Sequence, residues 1–450
     1  MLTVNLPSTA NAAAGIKYTL KSLLNGNISV VKNEESYVNR VLNHAITIEE
    51  YLNLKDIVKY IGVTDRFMDV INTFKVEEGT TPAGFRVECY LENEGLLKVD
   101  LVRDISYDKN GVKRPTNVLF SADSANPYEI APISGMLANL TCNPGIVYDL
   151  FLNNPKANIG NKFKTRDEVM TEIGNVLGSG CDISVELNDP FSRSFEEILE
   201  EAERFKEILS PYRVVIKVPH TGPVNSGNVR ELLEGDKKFS LSYNKGTTKD
   251  ALYGHNLALK LREKGYRINF TLMFEPYQTA LALQAKPYFI NSFIRHRKMQ
   301  SDTIKRLLDL YNLTGEAAFL ADLRKMFIEK DYLNKNETNK DLLDVKKMGE
   351  NILQYRKFNE GEGSDGLDSV RHNLRLLKSV NLPDTRLIIC SMEGDLNYPD
   401  IDKLTVEPEF SDVIDRIVIT AEPGYLASFT SCNQVISYQR RFMNAANGQK

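Results

Sequence analysis

After about residue 115, short runs of apolar, often β-branched residues alternate with longer segments whose apolar positions recur at helical spacing. An apolar strand followed by an amphipathic helix is typical of β/α units, whose parallel strands are buried on both faces. Eight such units predict an α/β fold that closes into a (β/α)8 TIM barrel. The predicted strands are Val118–Asp123, Ala138–Asn143, Asp182–Leu187, Val214–Pro219, Ile268–Phe274, Tyr288–Ile294, Arg386–Met392 and Ile417–Thr420.

Residues 1–115 follow a different pattern. Helical spacing at Ile16–Leu24 and Ile48–Ile61 precedes two strand-like runs, Phe85–Leu91 and Leu96–Val102, and a polar, turn-rich segment follows at 107–111. This order predicts an N-terminal α+β extension over 1–115, followed by the barrel over 116–450.

The connection between the sixth and seventh predicted strands is too long for one β/α unit. Its apolar spacing predicts a helical insertion at about 298–360, after which Leu367–Val380 resumes the barrel. A smaller insertion, Asn225–Thr248, follows the fourth strand. Both insertions follow strands, on the face where barrel active sites lie, so they could form a lid.

Composition narrows the class of protein. The 450 residues carry a net charge of −4, with 42% hydrophobic and 26% charged residues. A slightly acidic chain is not typical of proteins that bind nucleic acid or anionic membranes. The sequence has no apolar run long enough to predict a membrane span. The five cysteines are far apart and form no CxxC pair, which argues against disulfides or a cysteine zinc site and favours the cytoplasm. No HExxH-type cluster is present, so we predict no metal.

Lys217 is the most informative polar residue, because it interrupts the apolar run Val214–Pro219. Burial of an ammonium is costly, so desolvation should lower the pKa of Lys217 and favour the neutral amine. A neutral amine near pH 7 attacks carbonyl groups. The alternative is an edge strand whose lysine extends to solvent.

Other polar residues lie late in neighbouring predicted strands: Asp123, Asn143 and Glu186, with Asn269 and Thr271 in the fifth strand. In a barrel, the C-terminal ends of the strands converge on one mouth. An amine, two carboxylates and amide donors are the groups that Schiff-base chemistry needs. For each carboxylate alone, a helix N-cap or a loop salt bridge remains an alternative.

Five segments resemble the transaldolase family. They are Asp123–Ile130, Thr141–Pro144, Ser184–Glu186, Ile216–Pro219 and Asn269–Phe274, in the family's order. The resemblance covers roughly 118–297 well and 385–421 loosely. It implies a class I aldolase barrel that acts on a ketose or ketose phosphate in carbohydrate metabolism.

The resemblance also implies roles for individual residues. Lys217 would form an imine with the donor, Asp123 would be the general base or acid of carbon–carbon cleavage, and Glu186 would move protons through a water held by Thr141 or Thr271. No cofactor is expected, because the lysine imine is itself the electron sink. The implied substrate-binding residues are Asn143, Thr141, Asn269, Thr271, Asn291, Arg295 and Arg297.

Two segments depart from the family pattern. The sixth strand reads Ile290–His296, with Asn291 at an expected serine and His296 at an expected phosphate-binding arginine, although Arg295 and Arg297 flank it. The seventh strand ends in Ser391–Gly394, which has no arginine and adds Glu393. The substrate is therefore expected to be a small sugar or sugar phosphate. It is either unphosphorylated or bound through phosphate contacts that inserted residues supply.

Two alternative hypotheses for the function remain beside transaldolase-like catalysis. One is an aldolase whose substrate carries no phosphate. The other is a catalytically silent barrel whose additions bind a partner protein. The oligomeric state, including a homo-oligomer, is also left open by the sequence.

Overall fold

The computed structural model describes residues 3–4, 18–24, 27–74, 76–82, 84–110, 112–178, 180–191, 193–209, 213–390 and 398–449. The strands within these ranges are β1 Thr3–Val4, β2 Tyr18–Thr19, β3 Ser29–Val30, β4 Ala45–Ile46, β5 Tyr60–Val63, β6 Phe85–Leu91, β7 Leu96–Arg103, β8 Leu119–Asp123, β9 Leu137–Cys142, β10 Asp182–Glu186, β11 Arg213–Pro219, β12 Ile268–Thr271, β13 Phe289–Phe293, β14 Arg386–Cys390 and β15 Ile417–Ala421.

The helices join these strands and form the insertions. They are α1 Leu20–Leu23, α2 Glu35–Val38, α3 Ile48–Leu54, α4 Asp65–Thr73, α5 Pro127–Ile130, α6 Arg166–Leu177, α7 Phe195–Ile208, α8 Thr248–Ala251, α9 Tyr253–Glu263, α10 Tyr277–Gln284, α11 Arg295–Thr314, α12 Ala317–Glu329, α13 Leu342–Tyr355, α14 Gly361–Ser364, α15 Asp368–Ser379, α16 Tyr398–Thr405, α17 Pro423–Ser428 and α18 Asn433–Ala446. A π-helix, Gly145–Leu152, follows β9.

Strands β8 to β15 form a closed barrel in which every neighbouring pair is parallel. The predicted (β/α)8 barrel is therefore confirmed, and each of the eight predicted strands overlaps an observed one. The fifth is the main difference: β12 ends at Thr271 rather than at Phe274, because Leu272 has a φ of +59° that no strand accommodates.

Side chains along each strand point alternately to the surrounding helices and to the barrel interior, and apolar side chains are buried on both sides. Outward-facing apolar side chains such as Ile183, Ile216 and Phe270 pack against the surrounding helices in the largest apolar cluster. Inward-facing apolar side chains fill the end of the barrel where the strands begin, including Val215, Phe289 and Ile388. This end is called the floor below, and the opposite end, where the strands finish, is called the mouth.

The N-terminal extension is an α+β unit with its own apolar cluster. Its five-stranded sheet has the order β1-β6-β7-β5-β3, and the two predicted strand-like runs are β6 and β7, which pair antiparallel. The predicted helix Ile48–Ile61 is wrong in its second half, since α3 ends at Leu54. Tyr60–Val63 instead pairs in parallel with β7, because the buried apolar run Ile61–Val63 fits a sheet interior.

The extension packs on the floor, away from the mouth. The Arg103 guanidinium lies 3.1 Å from the Asp182 carboxylate at the start of β10, and both side chains are buried. Arg386, which begins β14, donates to Asp104 at 3.2 Å. These contacts join the last strand of the extension and the turn after it to the first residues of barrel strands.

The helical insertion between β13 and β14 lies on the mouth side. Helices α11, α12 and α13 share an apolar cluster of their own. The smaller insertion after β11 contacts it, since Lys238 Nζ donates to the Glu329 carbonyl at 2.9 Å and Asn334 Nδ2 donates to Ser242 Oγ at 3.3 Å. Across the described ranges, the structure contains no helix with the length and apolarity to cross a membrane.

Candidate active site

Polar side chains line the inside of the barrel from its middle towards the mouth. Because side chains alternate along a strand, Ser121 and Asp123 of β8 face the interior together, and the same holds for Asn139 and Thr141 of β9. The barrel brings the polar residues of β8 to β13 and β15 together over its apolar floor. The buried members are Ser121, Asp123, Asn139, Thr141, Ser184, Lys217, Asn269, Thr271, Asn291 and Thr420.

Lys217 lies at the centre of this polar layer and is only 5% exposed. Its Nζ is 3.2 Å from Glu186 Oε2 and donates to the Cys142 carbonyl oxygen at 3.3 Å. Glu186 and Lys217 are partners in the register of β10 and β11, so the parallel pairing itself places the carboxylate beside the amine. The alternative of an exposed edge-strand lysine is excluded.

Asp123 is the second buried carboxylate of the site, at 7% exposure. Thr141 Oγ1 donates to Asp123 Oδ1 at 2.8 Å. The Thr141 hydroxyl also lies 3.4 Å from Thr420 Oγ1, and Thr420 donates to Ser121 Oγ at 3.0 Å. The Thr141 hydroxyl on β9 therefore fixes the Asp123 carboxyl, and Thr420 is held separately by its bond to Ser121.

Burial raises the pKa of Asp123 above its usual value, because a carboxylate is poorly solvated inside the barrel. The positive charge of Lys217 and the hydrogen bond from Thr141 oppose this rise, whereas the negative charges of Glu186 and Glu422 add to it. A carboxylate with a raised pKa is a stronger base than a solvated one.

The pKa of Lys217 does not follow the sequence argument. Burial by itself lowers it, as predicted, but the nearby carboxylates of Glu186 and Asp123 outweigh burial and raise the pKa of Lys217 above its ordinary value. The prediction of a resting neutral amine is therefore wrong. Lys217 rests as an ammonium paired with Glu186, and it must pass a proton on before it can attack a carbonyl.

Asn269 has a donor free for a ligand. Its side chain is fully buried and its Oδ1 accepts from Asn291 Nδ2 at 2.8 Å, yet its Nδ2 has no hydrogen-bond partner within the described part of the chain. An unsatisfied buried donor is costly, so this amide is suited to a substrate hydroxyl or carbonyl. The buried Thr271 ends the same strand and lies one alternation nearer the mouth.

Asn143 lies just beyond β9 and is partly buried. Its Oδ1 accepts from the Ile146 backbone N–H at 2.9 Å and so caps the start of the π-helix that follows. The side-chain oxygen is therefore committed to the backbone, which leaves the Nδ2 group as the atom suited to a substrate.

Arg297 is only 3% exposed and is surrounded by carboxylates. Its guanidinium contacts Glu275 and donates to Asp368 Oδ1 at 3.2 Å. Arg356, also buried, donates to the other oxygen of Glu275 at 2.7 Å. These pairs hold the helical insertion against the loop after β12. Arg295 begins α11, and the side chain of Arg295 and the segment Ser391–Gly394 lie outside what the structure describes.

The loop after β12 is built to present Glu275 to those arginines. Leu272 takes a left-handed φ of +59°, which costs a non-glycine residue about 1 kcal/mol. Gln278 supports the turn, because its Oε1 accepts from the N–H groups of Phe274 and Glu275 at 2.8 and 2.9 Å and its Nε2 donates to the Leu272 carbonyl at 3.1 Å. The strained residue thus ends the strand and turns the chain towards the insertion.

Sequence reasoning missed part of the polar layer. Ser121, Asn139 and Thr420 stand at inward positions of their strands, and a count of alternation from Asp123 and Thr141 would have found the first two. His220 follows β11 at the mouth, and its ring packs edge-on against Phe270 with centroids 4.4 Å apart. Burial lowers the pKa of His220 to about 4, so it stays neutral beside the outer apolar layer.

In the described residues, no group of three or more His, Cys, Asp or Glu side chains is arranged to hold a metal ion.

The sequence model of the family described as transaldolase/fructose-6-phosphate aldolase matches residues 120–307. The match begins in β8 and ends in α11, so it contains all five segments that carried the predicted resemblance, which is thereby confirmed. A search of curated proteins returned no match to the chain.

Proposed function

We propose that the barrel, as a member of the transaldolase/fructose-6-phosphate aldolase family over residues 120–307, catalyses transaldolase-like carbon–carbon cleavage or formation through an imine on Lys217. The contact of 3.2 Å between Lys217 Nζ and Glu186 Oε2, inside a buried polar layer, carries the proposal. A buried lysine–carboxylate pair adds little net stability to a fold, because desolvation of the two charges offsets their attraction. Its presence therefore supports a role in catalysis.

The Glu186 carboxylate is placed to begin the reaction. It accepts a proton from the Lys217 ammonium, and the neutral Nζ then attacks the donor carbonyl carbon to form a carbinolamine. A proton returned to the carbinolamine hydroxyl lets it leave as water, and the nitrogen lone pair forms the C=N bond of the imine. Glu186 gains one proton and gives one back, so the residue is unchanged after this half of the reaction.

Asp123 is placed to cleave the carbon–carbon bond. Its carboxylate removes the proton of the donor hydroxyl two carbons from the imine carbon, the alkoxide electrons form the aldehyde, and the electron pair of the broken bond moves into the protonated imine to give an enamine. Its raised pKa favours proton acceptance. The enamine then adds to a second aldehyde, whose alkoxide takes the proton from Asp123, or it takes a proton itself. Either route gives an imine again, and hydrolysis of that imine by one water releases the product and regenerates Lys217.

The remaining polar residues are proposed to orient the substrate. The free Nδ2 of Asn269 and the Nδ2 of Asn143 donate to its oxygens, and Asn291 holds the Asn269 amide in position. Thr271 or Thr141 would hold the water that carries protons for Glu186. Arg295, with Arg297 beside it, is the remaining candidate contact for a phosphate.

A donor without phosphate is the second candidate, and one observation favours it. Phosphate needs an arginine with free donors, whereas the buried Arg297 is already shared between Glu275 and Asp368. Glu186, Asp123 and Glu422 add negative charge at the mouth, which opposes a phosphate dianion.

Borohydride trapping tests both candidates. The protein is incubated with dihydroxyacetone, fructose or fructose 6-phosphate, then reduced, and the modified peptide is mapped by mass spectrometry. We expect an adduct on Lys217 that Lys217→Met abolishes and that the control Lys264→Met, at an exposed lysine, retains. If the folded protein forms no adduct with any donor, the imine mechanism is wrong and the silent barrel is favoured. Equal adducts with fructose and fructose 6-phosphate would identify a phosphate-independent donor site.

A further inference from the structure

A second polar cavity lies at the floor of the barrel, at the end opposite Lys217. Its volume is about 550 Å³, and it lies between helix α4 of the extension and the residues that precede β12, β13 and β14. Four basic side chains line it, against two acidic ones. The basic residues are Arg66, Arg262, Arg267 and Lys286, and the acidic ones are Glu263 and Asp384.

Arg267 is the partly buried arginine of this cavity that has no ion pair among the described residues, whereas Arg66 is paired with Asp100 and Arg262 is exposed to solvent. Nearby floor arginines each have a carboxylate: Arg103 lies 3.1 Å from Asp182, and Arg386 lies 3.2 Å from Asp104. The Arg267 guanidinium makes no ion pair or side-chain hydrogen bond to any residue that the structure describes, and burial lowers its pKa. Arg267 is partly buried and water can reach its donors, but no described carboxylate forms an ion pair with it, and an anion in the cavity would do so.

Tyr288 supplies a second unsatisfied donor in the same cavity. The guanidinium carbon of Arg267 lies 4.8 Å from the centroid of the Tyr288 ring, and that of Arg103 lies 5.7 Å from it. The residue is only 6% exposed, and its hydroxyl has no hydrogen-bond partner in the described ranges. Burial raises the pKa of Tyr288, so the hydroxyl keeps its proton and can donate at neutral pH.

We propose that this floor cavity is a binding site for a small organic phosphate, held by Arg267 and Tyr288 and screened by Arg66, Arg262 and Lys286. A planar guanidinium donates two parallel hydrogen bonds to a phosphate, and a phenol can donate a third to the same group. The cavity is larger than a single phosphate needs and falls within the usual range of about 300–1,000 Å³ for small-molecule sites. The phosphate therefore belongs to a phosphomonoester whose organic part fills the remaining space.

The ligand would join the two units of the chain. Arg66 belongs to α4 of the extension, whereas Arg267 and Lys286 precede barrel strands. A ligand that binds only when both units are in place stabilises the folded chain in proportion to the logarithm of its concentration. The floor site thus differs in position, in charge and in expected effect from the catalytic mouth.

The test uses inorganic phosphate and ribose 5-phosphate as probes, with ribose as the uncharged control, at constant ionic strength. Thermal unfolding and titration calorimetry are measured on the full chain and on Arg267→Gln, with Lys264→Gln as the control that removes a nearby exposed charge outside the cavity. We expect both phosphates to raise the unfolding temperature of the native chain and of Lys264→Gln, and ribose to have no effect. Loss of the charge-assisted bonds in Arg267→Gln should weaken binding at least about tenfold.

One further variant, with two substitutions, tests the site if Arg267→Gln folds poorly. Arg262 and Lys286 are exposed, and the double variant Arg262→Gln with Lys286→Gln should fold normally and still bind phosphate several-fold more weakly. Borohydride trapping on Lys217 should be unchanged in each floor variant, so failure here is distinct from failure of the imine mechanism. Equal phosphate affinity in Arg267→Gln and the native chain, or no phosphate binding by the native chain, would overturn the floor site.

Discussion

The two ends of the barrel satisfy their buried charges in different ways. At the mouth, the Lys217 ammonium has the Glu186 carboxylate at 3.2 Å, and Arg297 has two carboxylates. At the floor, Arg267 lies against the Tyr288 ring and forms no ion pair with any described residue. The Lys217–Glu186 pair at the mouth can exchange a proton, whereas an unpaired arginine can only attract an anion. The comparison separates an end suited to proton transfer from an end suited to binding.

The largest expected effect is the loss of carbon–carbon cleavage when Asp123, the proposed proton acceptor at the mouth, is replaced. Asp123→Asn removes the proposed base of the proposed cleavage step and keeps the shape of the side chain, so carbon–carbon cleavage should fall by about 10²–10⁴-fold. Imine formation does not need this base, and the borohydride adduct on Lys217 should persist. The measurement is cleavage rate and adduct yield on the same preparation.

Glu422→Gln is the matched control for that variant. Glu422 is an exposed carboxylate that acts on Asp123 only through its charge, so its loss should change the cleavage rate little. Equal losses in Asp123→Asn and Glu422→Gln would show that the rate depends on the charge of the mouth and not on the Asp123 base.

The next effect concerns the arginines that clamp the insertion. Arg297→Met leaves Glu275 and Asp368 without their shared buried partner, which should lower the free energy of unfolding by about 3–5 kcal/mol. Arg306→Met removes an exposed arginine of the same helix and should cost less than about 0.5 kcal/mol. Denaturant titration measures both.

Arg297 also separates a clamp from a phosphate contact. If its role is structural, the fraction of Arg297→Met that remains folded should form the adduct with fructose and with fructose 6-phosphate in the native ratio. A selective loss of the fructose 6-phosphate adduct with unchanged stability would assign Arg297 to the substrate phosphate instead.

A smaller effect concerns the pH at which Lys217 reacts. The carboxylates raise the pKa of Lys217, so the ammonium pair persists as pH rises and the reactive amine appears only as pH approaches the raised value. Glu186→Gln removes the strongest of these raising charges, which should move the pH profile of borohydride trapping to lower pH. Glu200→Gln, at an exposed surface position of α7, should leave the profile in place. A profile that moves to higher pH in Glu186→Gln would contradict the pairing.

Much of the mouth could be predicted from sequence because barrels repeat one local rule. Inward and outward side chains alternate, strands end at a common mouth, and polar residues such as Asp123, Glu186 and Lys217 stand out in apolar runs. Their convergence follows once eight strands are recognised. The register that makes Glu186 the direct neighbour of Lys217 is a pairing between strands, and no periodicity within either strand encodes it.

The missed features depend on contacts that are distant along the chain. The raised pKa of Lys217 requires the positions of two carboxylates on other strands, so an argument from burial alone gave the wrong direction. Arg297 meets Asp368 across 71 residues, whereas the sequence resemblance implied a contact of Arg297 with substrate. The floor cavity exists only because the extension packs beneath the barrel, a placement that the sequence of residues 1–115 did not indicate.

The smallest expected effect compares two hydroxyls, one at each end. Tyr288→Phe removes a floor hydroxyl that has no hydrogen-bond partner among the described residues, so without ligand the free energy of unfolding should not fall. Thr420→Val removes a hydroxyl near the mouth that donates to Ser121 at 3.0 Å and lies 3.4 Å from Thr141, which should cost about 1 kcal/mol. With saturating phosphate, the Tyr288→Phe chain should gain less stability than the native chain, because one donor to the ligand is missing. A loss of about 1 kcal/mol from Tyr288→Phe without phosphate would mean that the floor hydroxyl is already satisfied within the protein, and the contrast between the two ends would fail at that residue.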